Sequence, residues 1–291
     1  MHIPHDEKAE KRMVALSSIA GAIVLTLTKL IVGLLTGSLG ILSEAMHSGL
    51  DLVAAMMTFF AVKFADRPPD EEHQFGHGKI ENFSALVETL LLLITCVWIV
   101  WEAIERLSAN RTEIEVNFWS FAVIALSIFI DFTRSRALMK TAKKYKSQAL
   151  EADALHFSSD ILSSGVVIVG LVFSYFGLHF MDSVSALVVA VIVVGICFRL
   201  GKRAIDDLLD KSPVSISTQI EKIATEIPDI LCIHDIKTRT SGSFYQAEMT
   251  IHVSSSLSIE EAHHISHKLE DLIQSRIGRC LVHVHAEPDH E

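Results

Sequence analysis

The strongest constraint on this chain is a series of long apolar runs within its first 205 or so of 291 residues. A helix needs about 20 apolar residues to cross a hydrocarbon layer roughly 30 Å thick. In lipid, each spanning segment must satisfy its own backbone N–H and C=O groups. The runs therefore predict membrane helices near 13–35, 38–64, 79–107, 117–139, 147–176 and 181–205, with breaks at "TGSLG", "DRPPDEE" and "FGLHF". From about residue 207 the chain turns mixed and polar. "STQIEKIATEI" and "SIEEAHHISHKLEDLIQSR" read as amphipathic helices, with capping-box spacing at Thr218/Glu221 and Ser258/Glu261. "LCIHDIKTRT" and "FYQAEMTIHV" alternate like strands joined at "SGS", and "CLVHVHAEP" reads as a closing strand. The expected fold is an all-α six-helix transmembrane domain followed by a cytoplasmic α+β domain of order αββαβ.

Lysine and arginine in the short flanks set the expected orientation. Lys8, Lys11 and Arg12 precede the first helix, and Arg134, Arg136, Lys140, Lys143, Lys144 and Lys146 lie between the fourth and fifth. Arg199, Lys202 and Arg203 close the sixth, while the opposite side carries Arg106, Arg111 and little else. Both termini and the polar tail are thus expected in the cytoplasm, with the protein in the inner (plasma) membrane. "MHIPHDEKAEKR" is acidic as well as basic and no small-residue cleavage site follows, so it does not read as a secretory signal. A net charge of −10, without a basic run interleaved with aromatics, argues against nucleic acid as a partner. Four cysteines stand apart without C-x-x-C spacing, and reduced thiols are expected.

Polar residues inside the apolar runs carry the chemistry. "ILSEAMHSGLDLVAAMM" holds His47 and Asp51, and "EADALHFSSDILSSG" holds His156 and Asp160. Four residues apart in a helix, each pair shares one face. Ionisable groups in lipid face a partner or a wet cavity. Each histidine lies about nine residues, or about 14 Å, into its expected helix. The two helices run in opposite directions, so the pairs can meet near the midplane. Two imidazoles and two carboxylates can close a tetrahedral shell suited to Zn2+. The loop "DRPPDEEHQFGHGK" offers Asp70, His73 and His77 for a second ion. Eight of the 15 histidines lie in the tail: His234, His252, His263, His264, His267, His283, His285 and His290. His283 and His285 share a strand face, and His263 and His267 a helix face. With Glu248 and Glu287 they are candidate ligands between helix and sheet, whereas His252, His264, His267 and His290 read as surface residues.

Six helices, H-x-x-x-D on the second and fifth, "HQFGHGK" after the second and an α+β tail together resemble the cation diffusion facilitators, over about residues 12–288. The resemblance implies a homodimer that exports divalent metal from the cytoplasm against protons by alternating access. It implies a transport site at His47, Asp51, His156 and Asp160, a loop site at Asp70, His73 and His77, and a charge interlock between Lys79 and Asp210. In the tail, "IHDIKTR", "EEAHH" and "VHVHAEP" match positions that make His234, His263, His285 and Glu287 ligands. Thr250 stands where some relatives have histidine, others have a carboxylate near Glu248, and His283 is an alternative to His285. The expected organisation is a cytoplasmic N-terminal segment (1–12), a transport domain (13–206) and a cytoplasmic dimerisation and metal-binding domain (207–291).

The leading expectation is a zinc/proton antiporter that is not an enzyme. Metal binds deprotonated ligands, so loading displaces protons, and the chain carries no ATP motif. Fe2+, Cd2+, Co2+ and Ni2+ suit similar ligands. A catalytic zinc would keep an open position beside a base. Four protein ligands without H-E-x-x-H argue against a metalloenzyme. A membrane-anchored metal sensor is the remaining alternative.

Overall fold

A computed structural model describes residues 5–37, 39–109, 118–175 and 180–289. Six long helices come first: α1 (His5–Thr36), α2 (Leu39–Ala65), α3 (Lys79–Ala109), α4 (Phe118–Tyr145), α5 (Gln148–Tyr175) and α6 (Phe180–Leu208). Then follow α7 (Val214–Ala224), β1 (Cys232–Ser241), β2 (Phe244–Ser254), α8 (Ile259–Ile277) and β3 (Cys280–Asp289). The chain forms two compact units: residues 2–67 with 80–205, and residues 68–79 with 206–291.

In the helical unit α1 packs on α2, α4 on α5, α1 on α4 and α2 on α5. Small side chains allow the close approach: Ala15, Ala61, Ala142, Ala149 and Ala154 surround Val62, Leu138, Leu150 and Phe157. Leu92 and Cys96 of α3 pack with Val189, Val193 and Cys197 of α6. Large apolar side chains point outward, among them Leu35, Met46, Trp98, Trp101, Val191 and Phe198, while Ser18, Lys29, Asp51, Thr58, Glu88, Asp131, Asp153 and His156 are buried. Apolar outside and polar inside is the arrangement expected in lipid rather than in water. His5–Thr36, Glu44–Ala65 and Lys79–Trp98 are long and apolar enough to cross a membrane by length and composition.

Three sequence expectations change. The first helix begins at His5, not near residue 13, because "HDEKAEKR" continues the helical turn beyond the point where hydropathy falls. Lys11, read as a flanking charge, is fully buried: its Nζ lies 2.5 Å from Asp66 Oδ1 and 3.3 Å from Glu81 Oε1. Glu81 Oε2 accepts from Ser147 Oγ at 2.5 Å. Nor does Thr218 cap α7. The helix starts a turn earlier, after Pro213, and Thr218 donates to the carbonyl of Val214 at 3.0 Å. Proline has no N–H to satisfy and suits a helix start. The Ser258/Glu261 box of α8 forms as expected, with both reciprocal bonds present.

The second unit holds a three-stranded sheet of order β1-β2-β3, antiparallel then parallel. Helices α7 and α8 cover one face through Ile220, Ile223, Leu269 and Ile273, which pack with Met249, Ile251, Val253, Val282 and Val284. With a period of two, the alternate residues of β2 and β3 face away from the helices. At the hairpin, Gly242 has φ +59°, as the first central position of a type II′ turn requires. A Cβ on Gly78 would come within 2.5 Å of the Ser241 carbonyl oxygen, so the 68–79 loop lies backbone-to-backbone on this turn.

Candidate metal centres

Helices α2 and α5 cross so that their two pairs face each other in reverse order. His47 Nε2 lies 3.9 Å from Asp160 Oδ1 and 3.9 Å from Asp51 Oδ1. His156 Nε2 lies 3.1 Å from Asp51 Oδ1 and 3.8 Å from Asp160 Oδ2. Pairing of 47 with 160 and 51 with 156 means that the helices are antiparallel. Donors about 2.0–2.1 Å from a tetrahedral zinc are separated by roughly 3.3 Å, so this cage is slightly wide for that ion. His156 and Asp51 are buried, and His47 and Asp160 are partly exposed. Four donors on two helices, in a bundle interior that also buries Lys29, Asp131 and Asp153, can strip and hold a dication.

The 68–79 loop gathers its three residues by local bonding. The backbone N–H groups of His73 and Glu72 donate to Asp70 Oδ1 at 2.7 and 3.2 Å. Gly76, at φ +80°, turns the chain back, bringing His77 Nε2 within 3.2 Å of Asp70 Oδ2, while His73 Nδ1 lies 3.3 Å from Oδ1. The His73 backbone bond, with the nearby His77 and His73 rings, holds Asp70 below the usual carboxylate range. His77 Nδ1 is buried without a partner. After the loop, Lys79 Nζ pairs with Asp210 Oδ1 at 2.8 Å, and Arg239 Nη1 lies 3.3 Å from Oδ2. Burial works against the Asp210 charge, but Lys79 and Arg239 outweigh it and hold its pKa down. Arg239 also stacks on Phe75, 4.5 Å from the ring centroid.

In the sheet, the face turned away from α7 and α8 brings together His234, His252 and Glu287, one from each strand. His234 Nε2 lies 2.9 Å from His252 Nε2, and His252 Nε2 lies 3.6 Å from Glu287 Oε2. His285 joins at the edge, 3.3 Å from Glu287 Oε1. His252, read from sequence as a surface residue, is the centre of this group. Its signal was its register: it pairs directly with Glu287, whereas His234 pairs with Thr250. Glu248 and His283 pair with each other two rungs further along. His263 is exposed on α8 against His267, 4.2 Å between ring centroids. Because α8 packs on the opposite face of the sheet, no single site between helix and sheet forms within one chain from these residues. His264 is exposed and His267 pairs with Glu270 at 3.0 Å; His290 lies outside the described residues.

Residues 15–209 match the cation efflux transmembrane domain, and residues 214–289 the cytoplasmic domain of cation efflux proteins. The chain belongs to the cation diffusion facilitator family. This family is one of cation efflux transporters rather than enzymes. Among similar proteins, the uncharacterized transporter MJ0449 of Methanocaldococcus jannaschii is 34% identical over 270 residues, covering 92% of this chain and 95% of that protein. The cation-efflux pump FieF of Yersinia pestis (strain Pestoides F) is 29% identical over 279 residues, covering 94% and 91%. The FieF of Salmonella arizonae is 28% identical with the same coverage. Among solved structures, a MamM CTD variant in its cadmium form matches at 26% identity and TM-score 0.25, covering 26% of this chain and 96% of that one.

Proposed function

We propose that this facilitator is a proton-coupled antiporter that exports divalent cations, Zn2+ foremost, from the cytoplasm by alternating access. The observation that carries this reading is the grouping of His47, Asp51 and Asp160 where α2 and α5 cross, with His156 Nε2 3.1 Å from Asp51 and 3.8 Å from Asp160. Two nitrogens and two carboxylate oxygens suit zinc, and their deprotonation on loading couples metal to protons. Six membrane-crossing helices with both termini cytoplasmic, in the inner membrane, follow from the run lengths and the basic flanks. The relatives named as cation-efflux pumps support the direction of transport. The loop residues Asp70, His73 and His77, and the sheet residues His234, His252, His285 and Glu287, are proposed as cytosolic metal sites of a homodimer. Fe2+, Cd2+, Co2+ and Ni2+ fit the same donor set and are the alternative cargoes.

The test is metal uptake by vesicles containing the purified protein. Zinc flux should require an imposed pH gradient and should compete with cadmium more than with manganese. Flux indifferent to the gradient would remove the antiporter reading, and zinc binding without any flux would leave a membrane-anchored sensor.

A further inference from the structure

Two carboxylates inside the helical unit lie outside the four-residue site, and each has one oxygen without a hydrogen-bond partner. Glu88 Oε2 and Asp153 Oδ1 belong to side chains only 2% and 1% exposed. The other oxygen of Glu88 accepts from Thr58 Oγ1 on α2. The other oxygen of Asp153 accepts from Ser18 Oγ at 3.2 Å, and Ser18 accepts in turn from Arg134 Nη2 at 3.1 Å. Arg134 is already paired with Asp131 at 3.2 Å and lies over the Phe157 ring.

Helix register puts the two carboxylates at one level. Thr58 follows Asp51 by seven residues, and Asp153 precedes Asp160 by seven, so each stays on the face of its helix that carries the site. Seven residues rise about 10.5 Å. Because α2 and α5 are antiparallel, both steps lead the same way, toward the C-terminal end of α2 and the N-terminal end of α5. Thr58 holds Glu88 at that level from α3. Under the orientation proposed above, this is the cytoplasmic side of the transport site.

An anionic oxygen buried without a donor is unfavourable, and a carboxyl that takes up a proton relieves it. We propose that Glu88 and Asp153 are the inner proton carriers of the efflux cycle, accepting the protons that a dication displaces and passing them to cytoplasmic water. The inference rests on the antiporter reading. In the step, a cation enters from the cytoplasm and the four ligands give up their protons. A carboxylate of Asp153 or Glu88 becomes a carboxyl and then releases that proton to water. Nothing is oxidised or reduced, and protons from the far side reload the ligands when the metal leaves. The charged groups whose fields reach Glu88 are Asp153 and His156 of α5. Those that reach Asp153 are Arg134 of α4, His156 on its own helix, Asp51 of α2 and, reciprocally, Glu88 of α3.

The test uses the full-length protein in proteoliposomes, with Glu88→Gln, Asp153→Asn and the double variant. Equilibrium zinc binding should stay as in the parent, since the four ligands are intact. Zinc flux of the double variant should fall about tenfold or more, as expected for losing positioned proton transfer. The rise of parent flux with pH on the loading side should flatten in the variant. Glu88→Asp, which keeps a carboxyl, should retain most of the flux. If the double variant does not fold, Glu88→Gln alone carries the test, because its amide can still pair with Thr58. Parental flux and pH profile in a folded variant would overturn the carrier assignment. A parent indifferent to the gradient would instead overturn the antiporter reading itself.

Discussion

At the scale of single residues, the chemistry depends on how few donors surround the proposed cargo. Losing a partner outside the coordination shell of a metal commonly weakens it about 10–100-fold, so losing a ligand should exceed that range. Asp51→Ala or Asp160→Ala should therefore lower zinc affinity more than about 100-fold and abolish flux in a protein that still inserts and folds. Calorimetric zinc titration and vesicle uptake read this directly, and near-parental values would remove either residue from the site. His47→Asp should instead keep the site and shift its preference toward harder ions, because an oxygen replaces a nitrogen. His47 is the more exposed of the two imidazoles and sits 3.9 Å from both carboxylates. A competition profile unchanged by this substitution would mean that His47 does not touch the ion.

At the scale of elements, Lys11 links α1 to the adjoining ends of α2 and α3. It pairs from α1 with Asp66, just past the end of α2, and with Glu81 in the first turn of α3. Lys8 adds a bond to the carbonyl of Asp66 at 2.9 Å. Removing one member of a buried ion pair leaves an uncompensated charge and costs about 3–5 kcal/mol. Lys11→Met fits the volume but strands two carboxylates, so it should destabilise by about that amount. Asp66→Asn, which leaves Lys11 with Glu81, should cost less. Thermal unfolding in detergent orders the two, and equal stability of Lys11→Met and the parent would show that the pair contributes nothing.

At the scale of the whole molecule, zinc should act as a folding ligand through the sheet. A ligand that binds only the native state at about 100 times its dissociation constant stabilises it by about 2.7 kcal/mol. The Tm of the full-length protein should rise with zinc at fixed pH. His234→Ala and His252→Ala should each reduce the rise, since their rings lie 2.9 Å apart, nitrogen to nitrogen. His263→Ala and Glu248→Ala should leave it nearly unchanged, because neither reaches that cluster within a chain. A zinc response lost equally in all four variants would return the ligands to a set shared between protomers.

What the sequence determined by itself was most of what is encoded at short range, the Thr218 cap of α7 excepted. Run length marked the six long helices, and alternation marked β1, β2 and β3. Four-residue spacing put His47 with Asp51 and His156 with Asp160, and three-residue spacing capped α8 at Ser258. Such signals survive because a helix or strand fixes the direction of each side chain from local geometry alone. The tertiary structure decided what depends on partners far apart in the chain. Lys11 is a buried charge rather than a flanking one only because Asp66 and Glu81, 55 and 70 residues away, converge on it. His252 leaves the surface class because β3 lays Glu287 beside it. His263 fails to join the strand histidines because Leu269 and Ile273 commit α8 to the other face of the sheet. Glu88 acquires a level in the bundle only through Thr58. Packing chooses these partners by burying apolar area, a quantity summed over the whole fold that no local pattern carries.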